Sequence, residues 1–234
     1  MLPRIHGFID RRILINFTAD HETVERILPA PFRPKLYKGK AIVGICLIRL
    51  KNIKLKGLPN FLGVSSENGA HRIAVEWKEG GQVKEGVFVP RRDTSLRFNT
   101  LIGGRLFPGK HHLAKFNVSE SDNVYHIDFT SSDHTKISID ATKAESFDTN
   151  SIFKTLENAS EFFENGSIGY SPNKKKFEGL RLQTYNWEVK PLTVNTVKST
   201  FFGDEKIFPK GSVIFDNALL MTQVEHEWHV MADK

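Results

Sequence analysis

One cysteine in 234 residues is too few for an intrachain disulfide or a cysteine-based zinc site. That residue, Cys46, sits inside the apolar run Ala41–Ile48 and is expected to be a buried structural thiol in a cytoplasmic protein. The same run is the longest apolar stretch in the chain, far short of the roughly 18 residues a membrane span requires, so no membrane segment is expected. The N-terminal residues are broken by Pro3, Arg4, His6, Asp10 and Arg11, which excludes a signal-peptide core there. No stretch rich in Gly, Ser or Pro marks a linker, and no internal repeat is visible, so residues 1–234 are expected to form one domain. Gly-x-Ser-x-Gly, Walker and dinucleotide-binding patterns are absent, which leaves nucleophilic-serine and nucleotide chemistry unsupported.

What the chain does contain is phenylalanine, 18 residues against 4 tyrosines and 3 tryptophans, a balance that favours a dry, aromatic interior. A chain of this length buries on the order of 70–75% of its unfolded surface, so a large core or an internal cavity is within reach. The net charge of +6 raises the question of nucleic acid. The one dense basic run, Lys174-Lys175-Lys176, follows a Ser-Pro-Asn turn and is read as a solvated loop, and no nucleic-acid-binding signature accompanies it. A basic surface would instead steer small anions inward.

Strand signals dominate. Arg12–Thr18, Ala41–Leu50, Arg72–Lys78, Val83–Val89, His112–Val118, Val124–Thr130 and Lys136–Asp140 are rich in β-branched and aromatic residues. Leu180–Tyr185, Val194–Phe202 and Val213–Met221 extend the pattern. Glu79-Gly80-Gly81-Gln82 predicts a hairpin turn. Helices are expected at Glu22–Leu28, behind Asp20, at Ser95–Leu101, and at Thr149–Phe163, where apolar residues recur at helical spacing. The fold class is therefore β-rich α+β, largely antiparallel, with about three peripheral helices.

Candidate chemistry gathers around Arg105-Leu106-Phe107-Pro108-Gly109-Lys110-His111-His112. A lysine held among cations in a dry pocket loses its proton more readily and becomes a nucleophilic amine. Neighbouring strand residues face opposite ways, so Lys110 and His111 do not share a pocket unless a bulge intervenes. Pro90-Arg91-Arg92-Asp93-Thr94 offers a guanidinium clamp for a carboxylate, or else a surface Arg–Asp pair. Arg105 has the same two readings. The adjacent histidines bring no further ligands into view, so no metal is assigned. His226-Glu227-Trp228-His229 has the wrong spacing for a zinc-protease helix and is expected to be ordinary packing.

In order along the chain, Asp10-Arg11-Arg12, Leu28-Pro29-Ala30-Pro31-Phe32, Val64-Ser65-Ser66-Glu67-Asn68-Gly69, Phe107-Pro108-Gly109-Lys110 and Phe215-Asp216-Asn217-Ala218-Leu219-Leu220-Met221 resemble the acetoacetate decarboxylase superfamily. They resemble most its branch of uncharacterised bacterial proteins. The resemblance implies a cone-like, partly closed antiparallel β-barrel around a pocket. In the family, an aromatic-Pro-Lys-Lys motif supplies a Schiff-base lysine and the cation that activates it. Here Gly109 stands at the reactive position and Lys110 at its neighbour. By the same resemblance Glu67 matches a pocket glutamate, and Arg11 or Arg12 the carboxylate-binding arginine. A second family glutamate has no counterpart in Ile42–Cys46. The expectation is a protein that holds a small anionic organic molecule, with Glu67 and His111 for acid–base chemistry and Arg11, Arg91, Arg92 or Arg105 on the carboxylate. No cofactor, nucleic acid or membrane is implied, and assembly into a homo-oligomer is left open. Two alternatives stand beside it: a Schiff-base lyase or decarboxylase acting on a keto acid through Lys110, and a non-catalytic module whose barrel is filled by phenylalanines.

Overall fold

The computed structural model describes residues 4–97, 108–174, 176–231 and 233–234. Its elements run β1 (Arg4–Ala19), α1 (His21–Ile27), β2 (Arg33–Pro34), β3 (Leu36–Tyr37), β4 (Lys40–Leu55), a 3-10 turn (Asn60–Leu62), β5 (Val64–Glu79), β6 (Gln82–Thr94) and β7 (His111–Glu120). They continue with β8 (Val124–Ser131), β9 (Lys136–Lys143), α2 (Leu156–Glu164), β10 (Ile168–Asn173), β11 (Lys176–Thr184), β12 (Lys190–Ser199) and β13 (Val213–Val230). The chain is thus β-rich α+β, as its patterning predicts. No helix among the described residues is long and apolar enough to cross a membrane.

The strands belong to one 13-stranded sheet that doubles back on itself. From β13 the pairing runs through β1, β4, β5, β6, β10 and β11 and returns to β13. A second path leaves β6 through β7, β8, β9 and β12 and also reaches β13. The shared strands therefore have core on both sides. On β4 the residues Val43, Ile45 and Leu47 enter one apolar cluster, while Ile42, Cys46 and Leu50 enter the other. This explains why Ala41–Ile48 reads as an unbroken apolar run, since a strand buried on both faces has no polar side to show. On β8, with one buried face, Tyr125, Ile127, Phe129 and Ser131 alternate with more exposed neighbours as the sequence suggests.

The hairpin at Gly80-Gly81 forms, with both glycines at positive φ (57° and 78°) between the paired Glu79 and Gln82. Three expectations are corrected. The sheet is mixed, because β10 and β7 each run parallel to β6. Two helices and a 3-10 turn are present among the described residues; Ser95–Leu101 passes out of them after Arg97. The helix expected from Thr149 starts only at Leu156. The Asp216 carboxylate accepts from the Ser151 hydroxyl (2.7 Å) and the Ile152 amide (2.8 Å), which ties that segment into a turn. Lys154 then adopts φ 69°, and the Thr155 hydroxyl caps the helix by accepting from the Asn158 amide.

Two histidines are buried without water access, His71 against Phe201 (ring centroids 4.4 Å apart) and His226 against Trp228 (4.3 Å). Burial pushes His71 down to about 3 and His226 down to about 4. Asp93 lies 3.9 Å from His71, but its carboxylate is committed to Arg91 and Ser131, and the Arg91 charge further opposes protonation. Both groups are therefore neutral when folded and gain protons near their ordinary value of 6.5 only when unfolded. The stability they confer is complete above pH 6.5 and is lost as pH falls towards 4. One unit below the ordinary value, each loss is about 1.4 kcal/mol, so roughly 3 kcal/mol together. Thermal unfolding should show Tm dropping by roughly 6–12 °C between pH 7.5 and 5.5. His226→Phe should remove about 1.4 kcal/mol of that pH dependence; an unchanged slope would show that acid lability has another source.

Candidate functional site

A pocket of about 130 Å³ opens inside the ring that β13, β1, β4, β5, β6, β10 and β11 describe. Its walls are mostly apolar, with Ile9, Leu50, Val89, Leu180 and Trp228 among them. Into this lining project Arg12 from β1, Cys46 from β4, Arg72 from β5, Arg92 from β6 and His111 from β7.

Two irregularities aim these arginines inward. Against β4, β1 carries one extra residue, since Ile9 pairs with Leu50 and Arg11 with Arg49, leaving Asp10 unmatched. A one-residue bulge reverses the alternation, so Ile9 and Arg12, three apart, face the same pocket. Likewise β6 carries one residue more than β5 between the pairs Ile73–Phe88 and His71–Arg91. That bulge spans Val89-Pro90, where the proline has no N–H to give to a ladder. Val89 and Arg92 then both face the pocket.

Among the described residues the pocket arginines have no carboxylate partners. Arg72, 4% exposed, donates from Nε to Cys46 Sγ (3.2 Å) and from Nη2 to Asn16 Oδ1. Arg12 donates to Cys46 Sγ (3.7 Å) and reaches Met221 Sδ (4.0 Å). Arg92 donates from Nε to Ser171 Oγ (3.0 Å). Burial lowers Arg92 to about 10, so it remains protonated at neutral pH. His111 is pushed down to about 3 by burial and by the Arg92 charge, so its imidazole is neutral. Asp93 touches the pocket too, but accepts from Nε and Nη2 of Arg91 (2.9 and 2.7 Å) and from Ser131. An apolar pocket holding cations without counter-ions has the chemistry of an anion site, because desolvated guanidiniums are costly until paired.

The other expected residues lie elsewhere. Glu67 points to the opposite side of β5, where Arg11 and Arg49 pair with it and with Glu120. Arg11 is therefore engaged, and Arg12 is the arginine that lines the pocket. Arg91 bridges Asp93 and Asp133. Lys110 is exposed beside a surface groove that Lys174 also borders. Arg105 lies outside the described residues. Sequence reasoning passed over Arg72 and took Cys46 for a structural thiol. Alternation along β5 from Asn68 through Ala70 carries the signal for Arg72.

Gly109 stands where the motif it resembles carries a reactive lysine. It adopts φ 82°, its amide donates to Glu178 Oε2 (2.7 Å), and a Cβ there would sit 2.6 Å from Ser171 Cβ. A lysine would meet both a left-handed backbone and the serine that Arg92 uses.

Residues 9–220 match the family DUF2071, an uncharacterized conserved protein (COG2071). No curated protein sequence matches the chain. Among solved structures, the chain is similar to an acetoacetate decarboxylase from Legionella pneumophila, at 15% identity, covering 99% of this chain and 88% of that one, with a TM-score of 0.58. An acetoacetate decarboxylase-like enzyme from Sphingomonas wittichii is 9% identical over 98% and 92% of the two chains, with a TM-score of 0.62. The enduracididine biosynthesis enzyme MppR complexed with pyruvate is 10% identical over 99% of this chain and 89% of that one, with a TM-score of 0.57. The fold is that of acetoacetate decarboxylase-like proteins.

Gly109→Lys should lower stability by roughly 1–3 kcal/mol, read as a fall in Tm. The variant should not be trapped by borohydride with a keto acid. A stable, trappable variant would overturn this account of the position.

Proposed function

We propose, for a chain that belongs to the DUF2071 family, that the pocket within its strand ring binds a small carboxylate-bearing organic molecule. One observation carries the reading: Arg12, Arg72 and Arg92 enter a single, largely apolar pocket, and among the described residues none has a carboxylate partner within it. Arg92 is assigned the carboxylate, because its one side-chain hydrogen bond among the described residues, to Ser171, leaves the outer guanidinium nitrogens available for a two-pronged contact. The ring of paired strands is read as the partly closed barrel of the family, and its pocket as the ligand's seat. That a protein of similar fold is complexed with pyruvate makes 2-oxo acids the first class to try.

Neutral His111, beside Arg92, is the group assigned to accept or relay a proton from a bound ligand. Glu67 is assigned a structural part, since two arginines already hold it. Schiff-base chemistry through Lys110 is disfavoured because that side chain is exposed outside the pocket. The filled-barrel alternative describes only half of the molecule. The cluster around Phe17, Phe88, Phe129, Phe202 and Phe208 is buried, and the one across β4 borders the arginine-lined pocket.

Calorimetric titration with pyruvate, lactate and pyruvamide tests the reading. Both carboxylates should bind saturably, and the neutral amide should not. Arg92→Gln removes a charge-assisted contact of about 1.5–3 kcal/mol and should weaken binding about 10- to 100-fold. Equal binding of acid and amide, or undiminished affinity in the variant, would sink the proposal.

A further inference from the structure

Cys46 occupies the centre of the pocket wall, and its surroundings do more than bury it. Leu14 on β1 and Ala70 on β5 are its partners in register. Arg12 and Arg72 therefore stand on the flanking strands, two residues away from those partners, and lean in from either side. Arg72 donates to the sulfur at 3.2 Å and Arg12 at 3.7 Å. Gly44 makes room for this arrangement: a Cβ there would come within 3.3 Å of Arg72 Nη2 and 2.3 Å of the Ile15 carbonyl oxygen.

A second observation points to a ligand. Among the described residues Arg72, 4% exposed, has no carboxylate in bonding range, and Arg12 Nε is buried with no hydrogen-bond partner. A buried guanidinium in that state lacks a counter-charge, and so does Arg92. The sulfur can supply one negative charge and a bound acid another. Three cations in a dry pocket thus call for a ligand carboxylate in addition to the thiolate.

We propose that Cys46 is the covalent attachment point of this pocket, its sulfur adding to the carbonyl carbon of a 2-oxo acid whose carboxylate pairs with Arg92. The inference rests on the carboxylate-pocket reading and adds the electrophile to it. The thiol proton leaves to solvent. A sulfur lone pair then forms the S–C bond, the carbonyl π pair moves onto oxygen, and that oxygen takes a proton from water. The product is a hemithioketal; nothing is oxidised or reduced, and the addition is reversible. Burial alone would push the Cys46 thiol up, but the charges and hydrogen bonds of Arg12 and Arg72 together outweigh it and hold it below the ordinary thiol range. The anion that results is the nucleophilic form. The site differs from an amine-based one in needing no lysine, which fits the glycine at position 109.

The chain has one cysteine, so labelling is read unambiguously by intact mass. Iodoacetate and iodoacetamide should be compared on the folded protein across pH 5.5–9. The anionic reagent is expected to react roughly tenfold faster or more, the reverse of the order for a free thiol. The rate should reach its midpoint below the free-thiol value of about 8.5. Pyruvate should slow it, and Arg12→Gln should return the midpoint towards that value. With carbon-13 at the carbonyl of pyruvate, the bound signal should move into the tetrahedral carbon range, and Cys46→Ser should abolish that signal. A folded protein that labels only after unfolding, or a bound pyruvate whose carbonyl signal stays put, overturns the proposal. Lactate has the carboxylate without the ketone and separates the two levels. If lactate binds while pyruvate gives no adduct, the covalent step falls and the pocket stands. If neither acid binds, both fall.

Discussion

The convergence of Arg12 and Arg72 on the Cys46 sulfur is the contact around which the pocket is organised. It requires three adjacent strands to present the right residues on one side at one level. β4 does so by plain alternation, because Cys46, Ile48 and Leu50 are two apart. β5 does the same with Asn68, Ala70 and Arg72. β1 cannot, since plain alternation from Ile9 would bring Arg11 inward and leave Arg12 on the other side. The unmatched Asp10 solves this, and its carboxylate is held on the strand's edge by Lys51 (2.9 Å) and Gln223 (2.8 Å). One inserted residue thereby decides which of two neighbouring arginines meets the pocket.

The other side of the same wall shows what those arginines would look like if they were structural. Arg11 and Arg49 meet Glu67 and Glu120, with Asp10 also 3.7 Å from Arg49, joining β1, β4, β5 and β7. Arg91 is likewise held by Asp93 and Asp133. Where the fold wants a cation for its own sake, it provides a carboxylate. Across the wall it provides a sulfur, an asparagine and a serine, all weaker partners for a guanidinium. The contrast lies within one molecule and on the same strands, so differences of fold or composition do not explain it.

Much of the sheet was legible from residue order, and the reason is periodicity. The Gly80-Gly81 turn, the alternation in β8 and the long apolar β4 all follow from local rules. The expected helix at Thr149 overreached because its apolar spacing ignores Asp216, some 65 positions later, which pins Ser151 and Ile152 in a turn. The site was legible only in part, for a related reason. Arg92 and His111 were named, but the choice between Arg11 and Arg12 depends on a bulge relative to a strand some 40 residues distant. Such a register shift is a property of the pair of strands, so it cannot be seen in either one alone. Cys46 is buried as expected, and what the apolar run does not show is the pair of arginines from β1 and β5 beside its sulfur.

The fate of the lysine position follows from the same geometry. Gly109 presses on Ser171, and Ser171 in turn holds Arg92 Nε. The space that a side chain at 109 would fill is thus given to positioning a guanidinium. Glu178 fixes the turn by accepting from the Gly109 amide and from Asn173, so the left-handed backbone is secured from two directions. Reinstating a lysine would require changing Ser171 and rebuilding the turn together, and would displace the arginine that the pocket retains. The proposed addition at sulfur draws on this geometry, with a seated arginine and a thiol between two cations and no lysine in the pocket lining. The segment that resembles a lysine motif here buttresses Arg92 through Ser171.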